Sequence, residues 1–160
     1  MSVMTEYLKI RGVRFEEIPH RSTFVALEGA ALVSARPDEV LKTLVIECHR
    51  SRAIVVIPAS RRVNMHLVRG AVEDPHARLA TEYELQHDFS YELGAMPPLG
   101  SLVGAKTYVD PEVFLHDTVL FSAGSQTQSV RCRTADLFRS EPISVVPLTA
   151  LGMAERELVG

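Results

Sequence analysis

Apolar residues in this chain gather in short blocks bounded by turn-forming residues, a pattern that favours strands over long helices. In Val40-Leu41-Lys42-Thr43-Leu44-Val45-Ile46, alternation sets Lys42, Leu44 and Ile46 on one face and Leu41, Thr43 and Val45 on the other. The expected strand covers 40–48. Residues 53–58 return as a second strand after a turn at Arg50-Ser51-Arg52, and the run Ile54-Val55-Val56-Ile57 demands burial on at least one face. Residues 118–123 and 128–133 predict another hairpin around Gly124-Ser125. Further strands are expected over 13–18, 106–110 and 143–146.

Helical signals fall between these blocks. Residues 2–11 predict a short helix with Gly12 past its end. Thr23 can cap a helix to about Ser34, whose Ala26, Gly29, Ala30 and Ala31 allow close packing. A turn at Pro37-Asp38, a helix over 64–70 and a turn or short helix over 111–116 are expected. Thr81-x-x-Glu84 has the form of a capping box opening a helix to about Phe89. A last helix starts at Thr134 or Asp136. Strands and helices interleave, but hairpins dominate the pairing. The expected fold is a single α+β domain over 1–160 with a mixed sheet, not a doubly wound parallel one.

Composition narrows the class. At 160 residues, with 46% hydrophobic and 23% charged positions, the chain can bury a genuine core as one globular domain. No apolar run approaches the ~20 residues that span a bilayer, and residues 1–11 carry charges where a signal peptide would be apolar. Cys48 and Cys132 stand alone in strand-like runs, so reduced cytosolic thiols are expected, although two cysteines can pair. The net charge of −3 argues against a protein that coats nucleic acid non-specifically. Locally the balance reverses: Arg50, Arg52, Arg61, Arg62, Arg69 and Arg78 face only Glu73 and Asp74 in that stretch. Such a face either meets phosphates through bidentate bonds or is a solvated surface.

Two features carry candidate chemistry. Lys42 is one of three lysines and sits in an apolar strand, where burial is costly without a partner. It suits a fixed cation facing an oxyanion, or a low-pKa amine, or a lysine snorkelling from a strand end. Gly94-Ala95-Met96-Pro97-Pro98 is a stiff loop with two backbone donors removed, suited to holding a substrate by its backbone or to making a structural turn. His20 closes a strand, as a loop histidine or a catalytic one. The other histidines show no metal-ligand spacing, and no serine-nucleophile or nucleotide-binding motif is present.

The order of elements resembles the YbaK/ProX family, the trans-acting aminoacyl-tRNA deacylases related to the editing insertion of bacterial prolyl-tRNA synthetases. The resemblance runs through Gly12-Val13-Arg14-Phe15-Glu16 and His20, Lys42-Thr43-Leu44-Val45, the strand ending at Pro58, and Leu79-Ala80-Thr81 to Glu84. It continues through Gly94-x-x-x-Pro98, Tyr108-Val109-Asp110, Ala123-Gly124 and Thr134-Ala135-Asp136-Leu137. It implies a curved, barrel-like, mainly antiparallel sheet with surrounding helices. It also implies hydrolysis of a mischarged aminoacyl ester by water, assisted by the substrate's ribose hydroxyl, with no metal, no cofactor and no covalent intermediate. Lys42 would then lie near the terminal adenosine or the scissile ester. Gly94, Ala95, Met96, Pro97 and Pro98 would wall the aminoacyl pocket beside His20 and Thr43. Arg50, Arg52, Arg61 and Arg62 would contact tRNA. Met96 is bulky for such a loop and would shrink the pocket if it pointed inward. The implied partners are an aminoacyl-tRNA acceptor end and a synthetase, with no membrane. A non-catalytic module with the same pocket, and a hydrolase of small molecules, are the competing readings.

Overall fold

A computed structural model describes residues 2–21, 36–89, 91 and 95–150. Helix α1 (Val3–Ile10) is capped by Ser2, whose hydroxyl accepts from the Thr5 amide. It closes at Gly12 with φ 70°, and the Val13 amide bonds back to the Leu8 carbonyl. Strand β1 (Phe15–Pro19) follows. The helix expected from Thr23 lies outside the described residues.

Strands β2 (Leu41–Glu47) and β3 (Arg52–Pro58) form the first expected hairpin, with Lys42 opposite Ile57 and Val45 opposite Ile54. Helix α2 (Met65–Val72) starts on the Asn64 side chain, which accepts from the His66 and Leu67 amides. It ends at Glu73 in the left-handed region. A two-residue strand β4 (Arg78–Leu79), which the sequence pattern did not suggest, pairs with the end of β2. The capping box is formed in both directions around α3 (Glu82–Glu84), and a wide turn continues it over Leu85–Phe89.

Strand β5 (Lys106–Val109) precedes a 3-10 turn over Pro111–Leu115. The second hairpin is β6 (Thr118–Ser122) and β7 (Gln128–Arg133), followed by α4 (Thr134–Phe138) and β8 (Ile143–Val145). The described residues form two sheets: an antiparallel one in the order β1-β7-β6, and a five-stranded one in the order β4-β2-β3-β5-β8. In the second, β3, β5 and β8 run parallel, so the sheet is mixed. A parallel bridge between Val40 and Leu120 joins the two. The arrangement is α+β with a mixed sheet, as expected, and neither sheet closes into the barrel-like form that the resemblance implies.

Alternation decides where each strand residue goes. Leu41, Val45, Ile54 and Val56 face an inner core with Val119, Phe121, Val130 and Cys132, sealed by Met4 and Leu8 of α1 and by Leu137 and Phe138 of α4. Leu44, Ile46, Val55 and Ile57 face the other way, against Val68 of α2 and Leu148. Both faces of β3 are therefore covered, which explains its unbroken apolar run. Fully burying each such side chain contributes ~1.5–3 kcal/mol. A third, small cluster, Val40, Ala59 and Leu120 with Ile18 against it, lies where the sheets meet. Both cysteines are free, and burial followed by the nearby Asp136 charge pushes the Cys132 thiol up to about 12.

Candidate functional site

The Val40–Leu120 bridge sets the geometry of the candidate site. Lys42 is two residues beyond Val40 and shares its face, and Ser122 is two residues beyond Leu120. Ser122 pairs with Ser129 across the β6–β7 hairpin, and Ser129 pairs with Ile18 of β1. His20 follows two residues later on the same side. Four adjacent strands thus present Lys42, Ser122, Ser129 and His20 on one face, with the Val40–Leu120–Ile18 cluster as its apolar floor.

Lys42 is half-buried, and its Nζ donates to the Arg61 carbonyl at 3.4 Å. Among the described residues no carboxylate pairs with it. Burial, and secondarily the charge of Arg62, pulls its ammonium below the usual lysine value. A cation kept poor in partners on an apolar face is available to a developing negative charge. Thr43 is half-buried on the opposite face of β2, opposite Val56.

At His20, Nδ1 lies 2.8 Å from the Arg21 carbonyl and Nε2 lies 2.8 Å from Ser129 Oγ. A carbonyl oxygen only accepts, so Nδ1 carries the proton, and in the neutral ring Nε2 accepts from the Ser129 hydroxyl. The His20 amide also donates to the Thr127 carbonyl, fixing the strand end.

Gly94 lies outside the described residues. Ala95, Met96, Pro97 and Pro98 are all buried, and the Met96 side chain sits in the inner core with Leu99, 5% exposed. The largest side chain of this segment is therefore spent on packing. The chain entering the loop reaches the β6–β7 turn: a side chain at Gly124, where φ is 98°, would meet the Tyr91 ring at 3.3 Å. The loop's far end is tied to buried Glu141. This carboxylate accepts from the Ser101 amide at 2.9 Å, its hydroxyl at 2.8 Å, and the Tyr7 hydroxyl at 3.2 Å.

The arginines are unequal. Arg52 is held by Glu47 at 2.8 Å and by Asp88, with its guanidinium over the Phe89 ring. Arg61 makes a two-pronged pair with Glu112 at 2.8 Å. Arg69 donates to the Ala77 carbonyl and Arg78 pairs with Glu84. Arg50 and Arg62 are exposed, with no carboxylate partner among the described residues. An open cleft of 610 Å³ lined by Glu47–Arg52, Val103 and Gly104 lies at the β2–β3 turn. Lys42 to Glu47 spans about 16 Å of strand, so this cleft is remote from the lysine. Two of its walls, Glu47 and Arg52, already neutralise each other.

Sequence reasoning singled out Lys42, His20 and the loop, but missed Ser122, Ser129 and Glu141. A serine near a hairpin turn has no distinctive pattern. Only the register of three strands shows that Ser129 meets His20.

Among solved structures, the chain is similar to the hypothetical protein APE2540, at 23% identity and a TM-score of 0.83 over 91% of this chain and 98% of that one. It is also similar, at 23% identity and a TM-score of 0.79 over 92% and 94%, to a protein proposed as a trans-editing enzyme for prolyl-tRNA synthetase. These likenesses establish the fold. No curated protein matches the chain in sequence. The model of the aminoacyl-tRNA editing domain matches residues 20–140, from the histidine that bonds Ser129 to just past α4. The chain belongs to the aminoacyl-tRNA editing domain family.

Proposed function

We propose that this protein is a cytoplasmic trans-acting deacylase that hydrolyses the ester of mischarged aminoacyl-tRNA, with residues 1–160 acting as one editing domain. The observation that carries this reading is Lys42, a half-buried cation with no carboxylate partner among the described residues, on the face where two sheets meet. Attack on the ester carbonyl builds negative charge on its oxygen, and a fixed cation in a water-poor site stabilises that charge more than it does the neutral ester. Water attacks, oriented by the ribose hydroxyl of the terminal adenosine, without a metal. Gly94 to Pro98 offer backbone groups to the aminoacyl moiety, a role consistent with a Met96 side chain packed away from it.

The substrates are small or medium amino acids on proline-type tRNA. Such side chains differ by too little binding energy for one site to separate them, so a second hydrolytic sieve is needed. Thr43 supports the pocket from the opposite face of the lysine strand. Arg50 and Arg62 contact tRNA phosphates, aided by Arg52 and Arg61, whose charges are already matched. A synthetase that charges the same tRNA is the natural protein partner.

The test is hydrolysis of a panel of mischarged tRNAs. Wild type is expected to release at least one small or medium amino acid. Lys42→Ala should lower kcat/KM by about 100-fold with an unchanged circular dichroism spectrum. Normal turnover by folded Lys42→Ala overturns the reading. Saturable binding by wild type without ester loss assigns a non-catalytic module instead.

A further inference from the structure

We propose that Ser129 and His20 form a proton relay for this deacylation, a role that rests on the deacylase reading above. Four observations converge. Ser129 Oγ and His20 Nε2 are 2.8 Å apart, a full hydrogen bond. The Arg21 carbonyl at 2.8 Å fixes the ring with Nδ1 protonated, which leaves Nε2 as the acceptor. The strand register places Ser129 beside Ser122, on the face that carries Lys42. Ser129 is also 7% exposed, so its hydroxyl is shielded from bulk water that would scatter a proton.

A base oriented by an acceptor behind it and bonded to a hydroxyl in front is the arrangement that moves protons in acyl transfer. The proton balance is simple. The attacking water gives one proton to Ser129 Oγ while the serine proton passes to His20 Nε2. The water oxygen bonds to the ester carbon, and the tetrahedral intermediate forms with its oxyanion toward Lys42. The bond from that carbon to the ribose oxygen then breaks. His20 returns the proton through Ser129 to the departing oxygen. The products are a free amino acid and an uncharged tRNA end, with the imidazole neutral again. Ser129 forms no covalent bond to the substrate.

The experiment uses the full chain and the best aminoacyl-tRNA from the panel. Ser129→Ala and His20→Ala should each lower kcat by about 100-fold, with KM within about twofold. The double variant should be no slower than the worse single one, because both residues serve one step. Added imidazole should restore part of the His20→Ala rate, which a purely structural histidine would not allow. If His20→Ala fails to fold, Ser129→Ala alone carries the kinetic test. Wild-type activity with unchanged variants, or additive losses without imidazole rescue, overturns the relay and leaves the deacylase reading standing. Absence of hydrolysis by wild type across the panel overturns both.

Discussion

Lys42 stands on a strand face with Leu44 and Ile46, and its ammonium is harder to keep charged there than in the unfolded chain. The native state therefore holds this proton less tightly than the unfolded state does. The resulting penalty is fully present below the lowered native pKa and fades as pH rises through it toward the lysine value of 10.5. Lys42→Met should raise the melting temperature at pH 7, flatten the alkaline side of the stability profile, and abolish deacylation. Thermal melts at several pH values check it, and a destabilised, active Met variant contradicts it. Lys42 was legible in the sequence because a charge interrupts an apolar alternation. Ser129 was not, since a strand serine breaks no pattern until its neighbours are known. The direction of Met96 was equally closed to sequence, because Gly/Pro loops fix backbone and leave side-chain facing to tertiary packing.

At the scale of elements, the short-range devices read correctly. Both hairpins, the Thr81–Glu84 capping box and the Gly12 helix end depend on residues within a few positions of one another. Strand β4 and the parallel β3–β5–β8 pairing depend on distant partners, and no local pattern announces them. The segment after the proline pair belongs to the same class. A side chain on Gly100 would lie 2.1 Å from the Ala105 carbonyl and 2.5 Å from Thr107 Oγ1, and the Gly100 amide donates to that oxygen at 2.8 Å. Backbone cannot yield as a flexible side chain would. Gly100→Ala should therefore cost about 3 kcal/mol or more, read as a shift of the urea midpoint. It should also raise KM for aminoacyl-tRNA, because the strained segment continues directly from Ala95–Pro98. A midpoint within experimental error of wild type would show that the turn relaxes freely.

For the whole molecule, the proposed function requires a chain of net charge −3 to concentrate its free positive charge where tRNA would bind. Glu47, Asp88, Glu112 and Glu84 match Arg52, Arg61 and Arg78, while Arg69 donates to the Ala77 carbonyl, which leaves Arg50 and Arg62 as the exposed guanidiniums of that stretch with neither a carboxylate nor a carbonyl partner among the described residues. Arg62→Ala should weaken tRNA binding and reduce the slope of log affinity against log salt by about 1, uniformly across aminoacyl groups. Binding titrations at several salt concentrations check it, and an unchanged slope places the phosphate contact elsewhere. The matched arginines also show why a charge count misleads: of the six arginines between residues 50 and 78, the fold supplies carboxylates to Arg52, Arg61 and Arg78.

The join between Val40 and Leu120 has a mechanical consequence. Lys42 is carried by one sheet, while His20, Ser122 and Ser129 are carried by the other, so the candidate site spans a seam that side-chain packing holds, with one backbone bridge across it among the described residues. Each sheet is internally laddered by hydrogen bonds, whereas the seam depends on the packing of the shared core, so local opening is expected there before the ladders break. Catalysis should therefore act as a strain gauge for that seam. In mild urea, deacylation should fall while the circular dichroism of both sheets is still native, and the Ala59 amide bonded to the Val40 carbonyl should exchange sooner than amides inside β3. On this account the site is lost by a loosening of the shared packing at the seam before either sheet unfolds.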